Sequence, residues 1–237
     1  MNAKTNAPEI GGWSPLAYAR TTGVVGVTVL VTGSFSNYVG SKLIVRGDAV
    51  ATSGNILASE SLFRLGVVSS LIMILTWLLY ALALYRLLKP VNKGQAQLMI
   101  VLVLVCVPVF MLNQLNLFAA LPLAKGGMPD QMMFFLNQHR HGNIIAAIFF
   151  GLWLFPLGLL VFRSGYLPRI IGVLLMIGCF GYLILFFQSY LFPGSEATLW
   201  TNPPLVVTHL AELSLMLWLL IRGVNVEQWE RRVRERA

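Results

Sequence analysis

The sequence predicts an all-α integral membrane protein, a six-transmembrane-helix bundle with both termini cytoplasmic. Three observations predict it. Hydrophobic residues make up 57% of the 237-residue chain and charged residues only 11%, with a mean hydropathy of +0.75; a soluble domain carries about twice that charge. The apolar residues fall into six runs, each long enough to cross a hydrocarbon core about 30 Å thick. The basic residues between the runs collect on one side of the implied membrane.

The expected spans are 21–39, 62–88, 97–121, 131–162, 169–192 and 204–222. The fourth is the clearest. Pro129-Asp130 opens it, His139, Arg140 and His141 follow, residues 144–162 carry no charge, and Arg163, Ser164 and Gly165 stop it. It is 32 residues long, about 48 Å at the helical rise. Its first turns must therefore project toward the outer interface with the histidines.

Lys4, Arg20, Arg86, Lys89, Lys93, Arg163, Arg169, Arg222, Arg231, Arg232, Arg234 and Arg236 fall on one side; Lys42, Arg46, Arg64, Lys125 and Arg140 fall on the other. The positive-inside rule then puts both termini in the cytoplasm. This distribution accounts for the net charge of +8 without nucleic acid. Residues 1–15 are polar, and Ala17-Tyr18-Ala19 precedes the first apolar run instead of following it, so no cleaved signal peptide is expected.

The chain divides into an N-terminal cytoplasmic segment (1–19), the membrane domain (20–223) and a basic amphipathic helix (224–237) that continues the sixth span with Trp229 and Val233 on one face. In the connector 40–60, Gly47-Asp48 starts a short outer helix over 49–59. Pro108, Pro156 and Pro193 kink spans or end them. Cys106 and Cys179 lie inside spans and read as packing residues. Gly23, Gly26, Gly33, Gly151, Gly158, Gly172, Gly178 and Gly181 serve close helix packing within one bundle; no two glycines lie four apart, so GxxxG is absent.

Depth sorts the polar residues. In outward-running spans they come late (Ser34, Ser36, Asn37; Asn113, Gln114, Asn116; Gln188), and in inward-running spans early (Arg64, Ser69, Ser70; His139, Arg140, His141, Asn143; Thr208, His209, Glu212). A polar group facing lipid lacks partners. The side chains are therefore expected to converge on a periplasm-facing cup with an apolar floor. Glu212 is the one acidic side chain well inside a span, costs roughly 3 kcal/mol to insert there, and by default has a function and a partner. His209 lies three residues earlier on the same face, and Arg64, His139 or His141 is the expected opposing group.

The lead reading is binding of a small or lipid-like molecule for sensing, carriage or complex assembly. Its site residues would be Glu212, His209, His139, His141, Arg64, Asn113, Asn116, Gln188 and Asn37. The alternative is an intramembrane enzyme with Glu212 as proton donor or acceptor and His209 or His141 as its relay. A structural subunit without ligand is the third reading. Catalysis stays open, with binding favoured over it.

No cofactor or metal is expected. Zinc at His141, His209 and Glu212 is the one donor set available, but His139 and His141 point about 200° apart on a helix, so both could ligate only if Gly142 let the helix unwind. Haem lacks apolar room, and no span has a central lysine for a retinal-type base. The implied partners are the lipid bilayer, a small-molecule or lipid ligand and another membrane protein.

The segments LASESLFRLGVVSSLI, ALALYRLLKPVNKG, His139-to-Gly142, IFFGLWLFPLGLLVFRSGYLPRIIGVLL and LWLLIRGVN occur in that order. Together they resemble the bacterial membrane family catalogued as domain of unknown function 4386, over residues 20–225. The resemblance implies a six-span inner-membrane protein in which Arg64, His139, His141 and Glu212 match polar positions. It implies no activity. It also implies a departure at Ser70, where similar sequences often carry an acidic residue.

Overall fold

The computed structural model describes residues 9–192 and 202–235; Lys4, Pro193 and Arg236 lie outside the described residues. Within them the chain is helical, with no strand beyond an isolated bridge between Ile10 and Trp13. The helices are α1 (Pro15–Leu43), α2 (Ala49–Ala58), α3 (Glu60–Leu88), α4 (Lys93–Asn113), α5 (Leu115–Lys125), α6 (Pro129–Leu152), α7 (Leu154–Ser164), α8 (Arg169–Leu191), α9 (Pro203–Ile221) and α10 (Val226–Arg234). Six stretches are long and apolar enough to cross a membrane, and they coincide with the six expected runs.

Short polar side chains start these helices by accepting orphan amides. The oxygens of Ser14, Asp48, Asn92, Asn202 and Asn225 accept from Ala17 (3.3 Å), Ala51 (2.8 Å), Gln95 (3.0 Å), Leu205 (3.3 Å) and Gln228 (3.1 Å). The outer helix at Asp48 and the start at Pro129 thus form as expected. Spans three and four each break once, at Gln114 and at Trp153. Pro156 explains the second break, because it lacks the amide that would bond Leu152 and its ring collides with that carbonyl.

Neighbours in sequence are neighbours in space. The order α1, α3, α4–α5, α6–α7, α8, α9 runs round a ring, and α9 closes it against α1. Glycines set the tightest approaches. A Cβ on Gly158 would lie 2.6 Å from the Gly172 carbonyl oxygen, and one on Gly178 2.9 Å from Thr208 Cα. A Cβ on Gly23 would strike the Leu220 backbone. Polar bonds reinforce the α8–α9 seam: Thr208 Oγ1 donates to Gly178 O (2.7 Å) and Asn202 Nδ2 to Gly181 O (2.9 Å). Without a hydrophobic drive between helices in lipid, close backbones and such bonds hold the ring. Cys106 and Cys179 are buried packing residues, free of any disulfide.

The tail does not continue the sixth span, contrary to the sequence expectation. Gly223 takes φ 70°, a conformation that favours glycine, and α10 starts afresh at the Asn225 cap. This helix docks across the end of the bundle where the basic residues gather, the basic end. Trp229 Nε1 (3.1 Å) and Tyr166 Oη (2.8 Å) both donate to Leu87 O. Arg232 donates to Arg163 O (3.1 Å) and Ser164 O (3.4 Å). These carbonyls close α3 and α7, where a helix has no internal donors left. Burial pushes the Tyr166 hydroxyl well above the usual phenol range, with Arg232 pulling the other way, so it stays a donor at neutral pH.

Two outcomes follow. Gly172→Val should destabilise the detergent-solubilised protein by about 1–3 kcal/mol, the usual cost of overpacking, whereas Gly54→Ala, with nothing near its Cβ, should leave its melting midpoint unchanged. Trp229→Ala should speed tryptic cleavage within α10 without lowering the midpoint of the bundle; equal cleavage of both proteins would show that α10 is not held by this indole.

Candidate functional site

The polar side chains gather in two clusters and a surface triad. The first cluster forms where span three breaks, near the end opposite the basic one, the far end. Asn113 Nδ2 donates to His139 O (2.9 Å) and Asn143 Oδ1 (2.9 Å), and Asn116 Nδ2 donates to Asn113 Oδ1 (3.0 Å). His139 Nδ1 sits 3.2 Å from Asn113 O and its Nε2 3.1 Å from Asn143 Nδ2. A carbonyl only accepts, so Nδ1 carries the proton and Nε2 accepts from the Asn143 amide. The neutral imidazole satisfies every partner.

Gly142 has a role other than unwinding. A Cβ there would overlap the Asn113 amide, so the glycine lets α4 press its asparagine onto the α6 backbone, and α6 stays helical throughout. Beside this cluster Ser70 Oγ lies 2.7 Å from Gln114 Oε1, across the α3–α4 seam. A fully satisfied network of this kind fixes register between helices and leaves no group free for chemistry.

Arg64 does not oppose Glu212. It is exposed and pairs with Glu60 (2.7 Å), which also holds Lys125 (2.8 Å), in a triad at the far end. His141 is exposed on the other side of α6 from His139, and Asn37 is exposed on α1. The side-chain oxygen of Gln188 is buried without a partner. Among the described residues no hydrogen bond or ion pair joins Arg64, His141, Asn37 or Gln188 to Glu212. Among the described residues no three His, Cys, Asp or Glu side chains are placed to share a metal ion, and the set His141, His209 and Glu212 does not meet.

The second cluster surrounds Glu212, near the middle of α9. Its Oε2 accepts from Tyr182 Oη at 3.4 Å, and no ion pair reaches it among the described residues. The Tyr182 ring stands between His209 (6.2 Å between centroids) and Phe150 (5.8 Å). The contacts continue to Trp77 (4.7 Å from Phe150), Trp153 (5.6 Å from Trp77) and Tyr80 (6.4 Å from Trp153). Tyr80 Oη and Trp153 Nε1 are buried donors without a partner. Gly26 makes room for the hydroxyl end of Tyr80, since a Cβ there would meet Met216 Cγ at 2.8 Å and Tyr80 Cε2 at 2.9 Å. Glu212 lies one turn before Met216 on α9. His209 is exposed, and its Nδ1 donates to Leu205 O (2.7 Å), which leaves Nε2 as an acceptor.

Sequence reasoning missed Tyr182, Tyr80 and Trp153. The signal was available: Trp and Tyr favour the membrane interfaces, so such residues at mid-span call for an interior role. Burial is also uneven around Glu212. On α1 nothing is buried between Gly26 and Val39, on α6 nothing between Leu136 and Ala146, and on α8 nothing beyond Gly181.

Residues 21–223 match the family described as Domain of unknown function (DUF4386). An uncharacterized protein of Archaeoglobus fulgidus is 30% identical over 151 residues, 62% of this chain and 77% of that protein. No solved structure matches.

The two clusters should respond differently to truncation. Asn113→Ala strips α6 of its bonds and leaves a buried carbonyl side without its donor, so it should cost about 1–3 kcal/mol in thermal unfolding. His141→Ala should change stability by no more than about 0.5 kcal/mol. Equal effects would mean that the first cluster does not tie the helices.

Proposed function

The chain belongs to the DUF4386 family, and on that premise we propose that its bundle binds a small membrane-soluble molecule at Glu212. One observation carries the reading: among the described residues, the sole acidic side chain deep in the spans has a single long hydrogen bond, in a wall where two buried donors have none. Leaving such donors unmade costs about 1–3 kcal/mol each. A ligand with an apolar body and a polar head, donating to Glu212 and accepting from Tyr80 or Trp153, removes those costs. The rings of Trp77, Phe150 and Tyr182 suit its apolar body.

Access runs from the far end, where α1, α6 and α8 pack loosely. With the basic end in the cytoplasm, that is the outer half of a cytoplasmic membrane, as the sequence reading places it. Sensing, carriage and assembly with a membrane partner all use such a site. The residues assigned to it are Glu212, Tyr182, Tyr80 and Trp153, with His209 at its mouth; Arg64, His139, Asn113 and Asn116 serve the structure.

A catalytic version has one observation in its favour. Tyr182 touches Glu212 and adjoins His209, which makes a relay from the carboxyl group to an exposed imidazole. His141 has no place in that relay.

Protein extracted gently from its own membrane and analysed by native mass spectrometry should carry a bound small molecule. Glu212→Gln should lower its occupancy about tenfold, the loss expected for one charge-assisted hydrogen bond, and Tyr182→Phe by less. Wild-type protein that is empty in every preparation would defeat the binding reading. Unchanged occupancy in Glu212→Gln with arrested turnover of the bound molecule would favour the catalytic one.

A further inference from the structure

A recess lies at the basic end, away from Glu212. It is an open groove of about 470 Å³ between the α3–α4 turn, the α7–α8 turn and α10, lined by Arg163, Arg169, Arg232, Asn92, Phe162, Val91 and Gly165. We propose that it binds the phosphate of an anionic membrane phospholipid. The proposal does not rest on the Glu212 site.

The charges argue for a phosphate. Three guanidiniums from two segments of chain face one space, and its lining contains no carboxylate. Glu235 reaches Arg232 from outside the lining (3.4 Å), but among the described residues no carboxylate pairs with Arg163 or Arg169. Arg232 is held in place by its bonds to Arg163 O and Ser164 O. Those bonds also cover the negative end of α7. The positive ends of α4 and α8 adjoin the recess instead; neither has an acidic residue in its first turn, and α8 has no side-chain cap. A phosphate accepts bidentate bonds from guanidinium groups and is favoured at such helix ends.

The apolar wall argues for a lipid. Phe162 lines the recess under the Arg169 guanidinium (5.9 Å from its ring). Two helical turns along the same face of α7 is Phe155, also exposed, and Ile170 is exposed on the first turn of α8. These side chains lead from the recess along the outside of the bundle, where acyl chains lie. Basic pockets at helix ends on the cytoplasmic side are a common means of holding anionic headgroups.

The test is lipid exchange on the full chain. Delipidated protein in neutral detergent is titrated with dioleoyl phosphatidylglycerol, dioleoyl phosphatidylcholine or inorganic phosphate, and bound lipid is counted by native mass spectrometry. Phosphatidylglycerol should bind about tenfold tighter than phosphatidylcholine, because the choline ammonium offsets the phosphate charge that the guanidiniums engage. The preference should vanish in Arg163→Gln/Arg169→Gln and shrink in Arg169→Gln alone, while Lys89→Gln/Arg231→Gln, which alters basic residues outside the lining, should keep it. Equal binding of the two lipids would overturn the proposal, as would equal loss in the control pair. Competition by millimolar inorganic phosphate against phosphatidylglycerol would overturn the lipid assignment in favour of a free anion. The wild-type comparison decides the matter even if the double variant does not fold.

Discussion

A polar atom inside a lipid-facing bundle has no water to bond, and that constraint organises this protein. The backbone meets it by being helical. The side chains meet it pairwise: Thr208 with the Gly178 carbonyl, Ser70 with Gln114, Asn113 with both the backbone and the side chains of α6. Each bond crosses a seam between helices, so satisfying the polar groups and fixing the ring are one event. Glycine at Gly158, Gly172, Gly178 and Gly181 brings the backbones close enough for this to happen.

Against that background the exceptions are informative. Besides the buried oxygens of Gln95 and Gln188, three groups among the described residues are incompletely served: Glu212 with one long bond, and Tyr80 and Trp153 with unpartnered donors. All three lie in the aromatic wall at mid-span, next to the part of the interior where α1, α6 and α8 bury least. By contrast the histidine cluster at the far end, more conspicuous by composition, is closed on itself.

The ends of the bundle are built on different terms. At the far end a solvent-screened ionic triad of Glu60, Arg64 and Lys125 joins α3 to α5, a contact of little weight in water. At the basic end α10 inserts Trp229 and spends Arg232 on carbonyls that their own helices cannot satisfy. The tail thus caps two helices in trans, and the same placement brings its arginine beside those of the α7–α8 turn.

The sequence by itself determined the six spans, the outer helix at Asp48, the start at Pro129 and the uneven distribution of charge, because hydropathy, caps and proline act over a few residues. It also singled out Glu212, whose cost in lipid follows from depth alone. Only the tertiary structure decided which polar groups meet. Arg64 turned to Glu60 one turn away, Gly142 served a neighbouring helix instead of its own flexibility, and Gly223 ended a helix that hydropathy would have extended. Tyr182, not a histidine or an arginine, reached the carboxyl group. The reason is geometric: depth along a helix is written in residue number, whereas the direction of each side chain round the ring is set by how six helices pack.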